Sequence, residues 1–194
     1  MVDLKEFEQK AADLRVLGMK ISIGQDTVYE KYWDEDCRRN IYSASKSFTS
    51  CAVGFAVQEG LIDLDERLMD AFKEDIPNNP DENLKKATVK DLLTMTLGQE
   101  KGFLMGKQRP RMEEQNWVKA SLAIPFVYEP GTHFVYNNVG PYLAGILVQR
   151  RAGCDLLSYL TPRLLKPLGI RKTIWEVDPE GNTFGAGGLF LTVS

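Results

Sequence analysis

The stretch 41-IYSASKSFTS-50 sets two serines and a lysine ahead of an apolar run, "CAVGFAVQEG", that ends at Gly60. The spacing predicts a helix from about Ser43 to Glu59, apolar on nearly every face and therefore central and buried, with Gly60 as its C′ residue. Ser43 and Lys46 stand at i and i+3 and share one face of such a helix. A serine hydroxyl is a weak nucleophile that needs a base beside it. A lysine in an apolar helix loses hydration, which disfavours its charged form and frees it to accept a proton. The helix N-terminus adds N–H groups and a dipole suited to the negative charge that develops in acyl transfer. The pattern alone is weak, because S-x-x-K arises about once by chance in a chain of this size. A reading with Ser43 or Ser45 as N-cap and Lys46 in solvent stands beside the catalytic one.

The flanking sequence predicts a first amphipathic helix over 5–17. A hairpin over about 19–33 follows, turning at Gln25-Asp26, and then a charged loop, "DEDCRRN". "LIDLDERLMDAF", "TVKDLLTMTLG" and "RMEEQNWVKASLA" read as further helices, the first two separated by the Pro/Asn loop "DIPNNPDEN". "EPGTHFVYNN" reads as a turn and a short extended piece. "VGPYLAGILVQRRAG" is an apolar helix with basic residues in its last turn, and Asp155 caps the helix after it. The result is an α+β chain with little strand: residues 1–42 as helix and hairpin, and 43–194 as a mostly helical region.

Composition narrows the function classes. At 194 residues the chain can bury a core of its own. A net charge of −3 with no basic, aromatic-interleaved run argues against nucleic acid. No stretch approaches the length of a membrane span, and the charged N-terminus lacks a signal-like apolar core, so a cytoplasmic location is expected. Cys37, Cys51 and Cys154 are odd in number and widely spaced, which fits neither a disulfide framework nor a zinc site. Cys51 is expected to fill core volume. The single histidine, His133, sits in a turn-rich stretch and is given no role.

A second element joins the first. Tyr136-Asn137-Asn138 precedes the apolar helix, and in an extended piece Tyr136 and Asn138 point to one side. The phenol can exchange a proton with the serine or leaving group, and the amide can hold Lys46 and a substrate carbonyl. Equally, Asn138 can be an N-cap and Tyr136 a packed aromatic.

S-x-x-K followed by Y-x-N, with "DLLTMTLG", "EPGTHFVYNN", "LLKPLGI" and "GAGGLF" in that order, resembles the serine β-lactamase-like hydrolases. The branch it is most similar to holds class C β-lactamases, D-alanyl-D-alanine carboxypeptidases and family VIII esterases. The resemblance implies a β-lactamase/transpeptidase-like fold: a helical region plus an antiparallel sheet that is incomplete in this chain. It implies Ser43 as the acylated nucleophile, Lys46 as its partner, Tyr136 as proton shuttle and Asn138 as ligand of substrate and lysine. The implied substrate is a small molecule or peptide bearing an ester or amide, whether β-lactam, D-Ala-D-Ala peptide or short-chain ester, with no metal or organic cofactor. Two departures stand out. Met95 occupies a place where such proteins usually have histidine. Their third motif, Lys-Thr-Gly or His-x-Gly, has no counterpart after "GAGGLF", and "RKTIW" at 171–175 sits too early to replace it. With Ser194 a helix N-cap type at the last position, the 194 residues are expected to be the N-terminal portion of a longer hydrolase. Self-association or a separate C-terminal piece would then complete the sheet. A non-catalytic or slowly acylated penicillin-recognising relative is the alternative function, and a structural helical domain with chance motif matches is a third.

Overall fold

The structure is a computed structural model that describes residues 4–194. It divides into two units: the chain up to Asn40 together with Phe190–Ser194, and Ile41–Leu189. Residues 1–3 of the expected N-terminal region lie outside the described residues.

In the first unit, α1 (Lys5–Ala11) precedes a hairpin of β1 (Gly18–Ile23) and β2 (Asp26–Tyr32). The expected helix over 5–17 is thus shorter. Arg15 takes a positive φ of 54° and the Val16 N–H returns to the Ala11 carbonyl, which closes the helix. The hairpin forms as expected but turns at Gly24-Gln25, one residue earlier than predicted, and its register slips between Ile21 and Ser22. Glu8 ties helix to hairpin by accepting hydrogen bonds from Tyr29 (2.8 Å) and Lys31 (2.5 Å). The short strand β3 (Arg39–Asn40) pairs antiparallel with Leu191 and Phe190.

The second unit is built on helices. A 3-10 turn, Tyr42–Ala44, leads into α2 (Ser45–Gln58), so the helix begins two residues later than expected. It is not buried all round. Ser45, Thr49, Ala52, Val53 and Ala56 form one buried stripe at helical spacing, while Ser47, Ser50, Cys51 and Gly54 between them are exposed. Cys51 lies off that stripe and is exposed, so it fills no core volume. The central helix is instead α6 (Val139–Ala152), buried at every position from Val139 to Gln149 and packed against α2 and α4 (Val89–Thr94).

Two expected helices shrink for local reasons. Of "LIDLDERLMDAF" only α3 (Leu68–Ala71) is helical. The Leu68, Val89 and Lys90 N–H groups bond to Ala87, Glu66 and Leu64 carbonyls, so the preceding backbone is already paired with the start of α4. Within "RMEEQNWVKASLA" the helix is α5 (Trp117–Leu122), because the Asn116 side chain accepts the Lys119 N–H at 2.8 Å and starts the helix there. Residues 133–137 take no strand pairing. Asp155 caps α7 (Leu156–Leu160) as expected, accepting the Ser158 N–H at 2.9 Å, and a π-turn over Thr161–Leu165 follows. Short strands β4 (Ile174–Trp175) and β5 (Leu189–Leu191) close the element order. Among the described residues no helix is long and apolar enough to cross a membrane.

The contact that fixes α6 against α4 is a backbone one. A Cβ at Gly140 would lie 2.3 Å from the Leu92 carbonyl oxygen, so the two helices approach at a distance only glycine permits. Trp117, Tyr142 and Phe184 fill the space beside this crossing, with ring centroids 5.6–6.2 Å apart. Replacing Gly140 with alanine should force the helices apart at a cost of about 1–3 kcal/mol. Denaturant unfolding should show a lower midpoint at unchanged slope, and an unaltered midpoint would mean that the crossing relaxes freely.

Candidate active site

The site assembles from three segments of the second unit. Ser43 sits exposed in the 3-10 turn that leads into α2, and Lys46 occupies the first turn of that helix. The i, i+3 spacing expected from the sequence brings them together: Lys46 Nζ donates to Ser43 Oγ at 3.1 Å. Tyr136 arrives from the coil before α6, its hydroxyl 2.7 Å from Ser43 Oγ. Asn138, the residue immediately before α6, accepts from Lys46 Nζ through Oδ1 at 2.8 Å. All four residues singled out in the sequence therefore lie in one hydrogen-bonded cluster.

The local chain explains how Tyr136 and Asn138 are held without a strand. Asn137, not Asn138, caps α6: its Oδ1 accepts the Gly140 N–H at 2.9 Å. Its Nδ2 donates to the Val135 carbonyl at 2.9 Å, which pins the turn from within. Asn138 is thereby free to face the site, and its Nδ2 donates to the Leu104 carbonyl at 2.9 Å. The loop supplying that carbonyl runs close, since a Cβ at Gly102 would stand 2.8 Å from the Tyr136 carbonyl oxygen. Both polar ends of the Asn138 amide are committed, so its orientation is fixed.

One acceptor for the lysine comes from the backbone. Lys46 Nζ donates to the Ala186 carbonyl at 2.6 Å, in the "GAGGLF" stretch. That turn is held by other parts of the fold. Thr49 donates to the Gly185 carbonyl at 2.7 Å, and the Trp175 indole N–H lies 3.1 Å from the Phe184 carbonyl and 2.8 Å from that of Gly187. A backbone acceptor carries no side-chain signature, and the glycines flanking Ala186 are the sequence signal that could have pointed to a close approach there. His133 stays outside the cluster, exposed and stacked on Tyr128 at 4.2 Å.

Ser45, the competing serine, has a different job. It is fully buried, donates to the Tyr42 carbonyl at 2.6 Å and accepts the Leu189 N–H at 3.1 Å. Both hydroxyl roles are structural.

Electrostatics tune the cluster. Burial pushes the Lys46 ammonium below its usual range; Tyr136 opposes that shift and the Arg109 charge adds to it. The hydrogen bond to Ser43 pulls the Tyr136 phenol down, partial burial works against it, and the Lys46 charge lowers it further. Lysine and tyrosine thus shift toward each other, their ring-to-ammonium distance being 5.2 Å. A serine oxygen flanked by two groups whose proton affinities converge can surrender its proton and attack an electrophilic carbon.

The fold matches an octameric penicillin-binding protein homologue from Pyrococcus abyssi with a TM-score of 0.76 at 22% identity, over 99% of this chain and 54% of that one. It matches a class C beta-lactamase with a TM-score of 0.73 at 18% identity, over 96% of this chain and 59% of that one. The monacolin J acid methylbutanoyltransferase of Aspergillus terreus is 31% identical over 157 residues, which is 71% of this chain and 37% of the relative. The lovastatin esterase of Penicillium rubens is 31% identical over 150 residues, 66% of this chain and 37% of the relative. The chain thus spans little more than a third of the length of these relatives. The family model described as Beta-lactamase matches residues 5–189, and the chain belongs to that family.

Proposed function

We propose that this chain carries the nucleophile-bearing part of a serine hydrolase or acyltransferase that works through an acyl-enzyme on Ser43, with an ester as the substrate class. The observation that carries the reading is the pair of contacts on Ser43 Oγ, 3.1 Å from Lys46 Nζ and 2.7 Å from Tyr136 Oη. With Tyr136 as phenolate, the Ser43 proton passes to Oη along the 2.7 Å contact as Oγ adds to the ester carbonyl carbon. The phenol then returns that proton to the departing alkoxide as the carbon–oxygen bond breaks, leaving the acyl group on Ser43. Water or an alcohol repeats the sequence in reverse. Lys46 stabilises the phenolate by its charge, and its own position is set by Asn138 and the Ala186 carbonyl. The preference for esters over amides or β-lactams is supported by the relatives, whose names describe an esterase and acyltransferases.

Labelling with a fluorophosphonate, followed by peptide mapping, should place the adduct on Ser43. Ser45→Ala should leave labelling in place while lowering stability by about 1–3 kcal/mol, since a buried hydroxyl with two partners is lost. An adduct on Ser45 with Ser43 unmodified would overturn the assignment.

The acylation rate of the full-length protein should rise with pH along a limb whose midpoint lies below 10.0, the ordinary value for a tyrosine, because Tyr136 is lowered and its phenolate forms earlier. That midpoint belongs to the Lys46–Tyr136 pair. Tyr136→Phe and Lys46→Ala should each remove the limb and slow acylation by about 10²-fold or more. The double variant should be little slower than either single one, as residues acting as a unit are non-additive. Multiplicative losses would assign the two residues separate tasks.

A further inference from the structure

A cavity of about 620 Å³ opens between α7 with its π-turn and the returning segment 169–173. Leu157, Leu165 and Ile170 line it together with Lys166, Arg171 and Lys172. None of these belongs to the Ser43 cluster, and the volume suits a small organic ligand.

The charge pattern is out of keeping with the rest of the chain. Over residues 156–175 the sequence holds Arg163, Lys166, Arg171 and Lys172 and no aspartate or glutamate, in a chain whose net charge is −3. Elsewhere the basic side chains of this region find carboxylates: Arg163 pairs with Glu59 at 2.7 Å, and Arg150 with Asp75 at 2.6 Å. Among the described residues, Lys166, Arg171 and Lys172 make no salt bridge. Lys172 also holds a φ of 51°, a left-handed conformation that costs energy for a residue with a Cβ. Leu168, beside this segment in sequence, is 62% exposed. Unpaired cations alone describe a solvated surface, and an apolar hollow alone describes imperfect packing. Their coincidence in one cavity matches a ligand that is apolar at one end and anionic at the other.

We propose that this cavity binds a small anionic amphiphile: a single hydrocarbon chain ending in a carboxylate or phosphate. The tail rests on Leu157, Leu165 and Ile170, where it leaves water. The head group is held by Lys166, Arg171 and Lys172, whose positive field also steers its approach. The site is separate from the proposed acyl-enzyme chemistry and does not depend on it.

Titration calorimetry on the full-length protein tests this with laurate, dodecyl phosphate and dodecanol, each below its aggregation threshold. Laurate and dodecyl phosphate should bind saturably, one per chain at this site, and weaken as salt rises. Dodecanol should bind about tenfold or more weakly, the loss expected when a charge-assisted contact goes. The triple variant Lys166→Gln, Arg171→Gln, Lys172→Gln alters exposed side chains, so circular dichroism should remain native while laurate affinity falls about tenfold or more. Arg171→Glu alone should weaken laurate in the same direction. Ser43→Ala should leave laurate affinity unchanged, which separates this cavity from the Ser43 cluster. Equal affinity for dodecanol, or laurate affinity indifferent to the triple variant, would overturn the proposal. So would binding to anionic phosphatidylglycerol vesicles with none to monomeric laurate, which would make this face a membrane contact.

Discussion

A lysine ammonium withdrawn from water must be coordinated, and in this chain the coordination of Lys46 is the constraint on which the site depends. Three acceptors converge on its Nζ: Ser43 Oγ at 3.1 Å, Asn138 Oδ1 at 2.8 Å and the Ala186 carbonyl at 2.6 Å. An unpaired buried charge costs several kcal/mol in real proteins, of order the whole stability of a small domain. The three segments around residues 43, 138 and 186 therefore hold one another in place through the lysine. Loss of any one acceptor exposes the charge to an incomplete shell, and the geometry at Ser43 is the first thing to change.

The same constraint explains the division of labour between two adjacent asparagines. Capping α6 and facing the lysine are both tasks for a carboxamide, and one side chain cannot do both. Asn137 takes the Gly140 N–H, and Asn138 places its oxygen on Lys46 and its nitrogen on the Leu104 carbonyl. Cap and ligand are consecutive, so the helix start and the site are one rigid feature. The approach of α6 to α4 at Gly140, one residue further on, carries that rigidity into the core.

Much of the candidate site was legible in the sequence because its chemistry lies in side chains at fixed spacing. The shared face of Ser43 and Lys46 followed from the helical period, its meaning from the second motif and the family resemblance, and the hairpin, α6 and the Asp155 cap from alternation, apolarity and local hydrogen bonding. Three kinds of feature were not legible. The Ala186 carbonyl is a backbone group supplied by a segment 140 residues away. The burial of α2 depends on which neighbours it meets: its composition looked apolar all round, but only the Ser45–Ala56 stripe finds a partner, and Cys51 remains outside. The short helices α3 and α5 were over-read because an apolar period continues through residues whose backbone is claimed locally, by the Leu64–Glu66 pairing and by the Asn116 cap.

Tyr136 shows how far local propensity falls short of position. The expectation of an extended piece that points Tyr136 and Asn138 to one side named two residues that the fold does bring to Ser43 and Lys46, by a route other than the expected one. No strand is present; the two side chains reach Ser43 and Lys46 because Asn137 folds the coil back on itself and Gly102 lets a neighbouring loop close against the Tyr136 carbonyl. The phenol is exposed while the lysine is half-buried, and that asymmetry suits the proton exchange proposed for Tyr136 beside a cation held by three acceptors. A strand would have fixed both side chains equally; the turn lets one be buried and the other face outward.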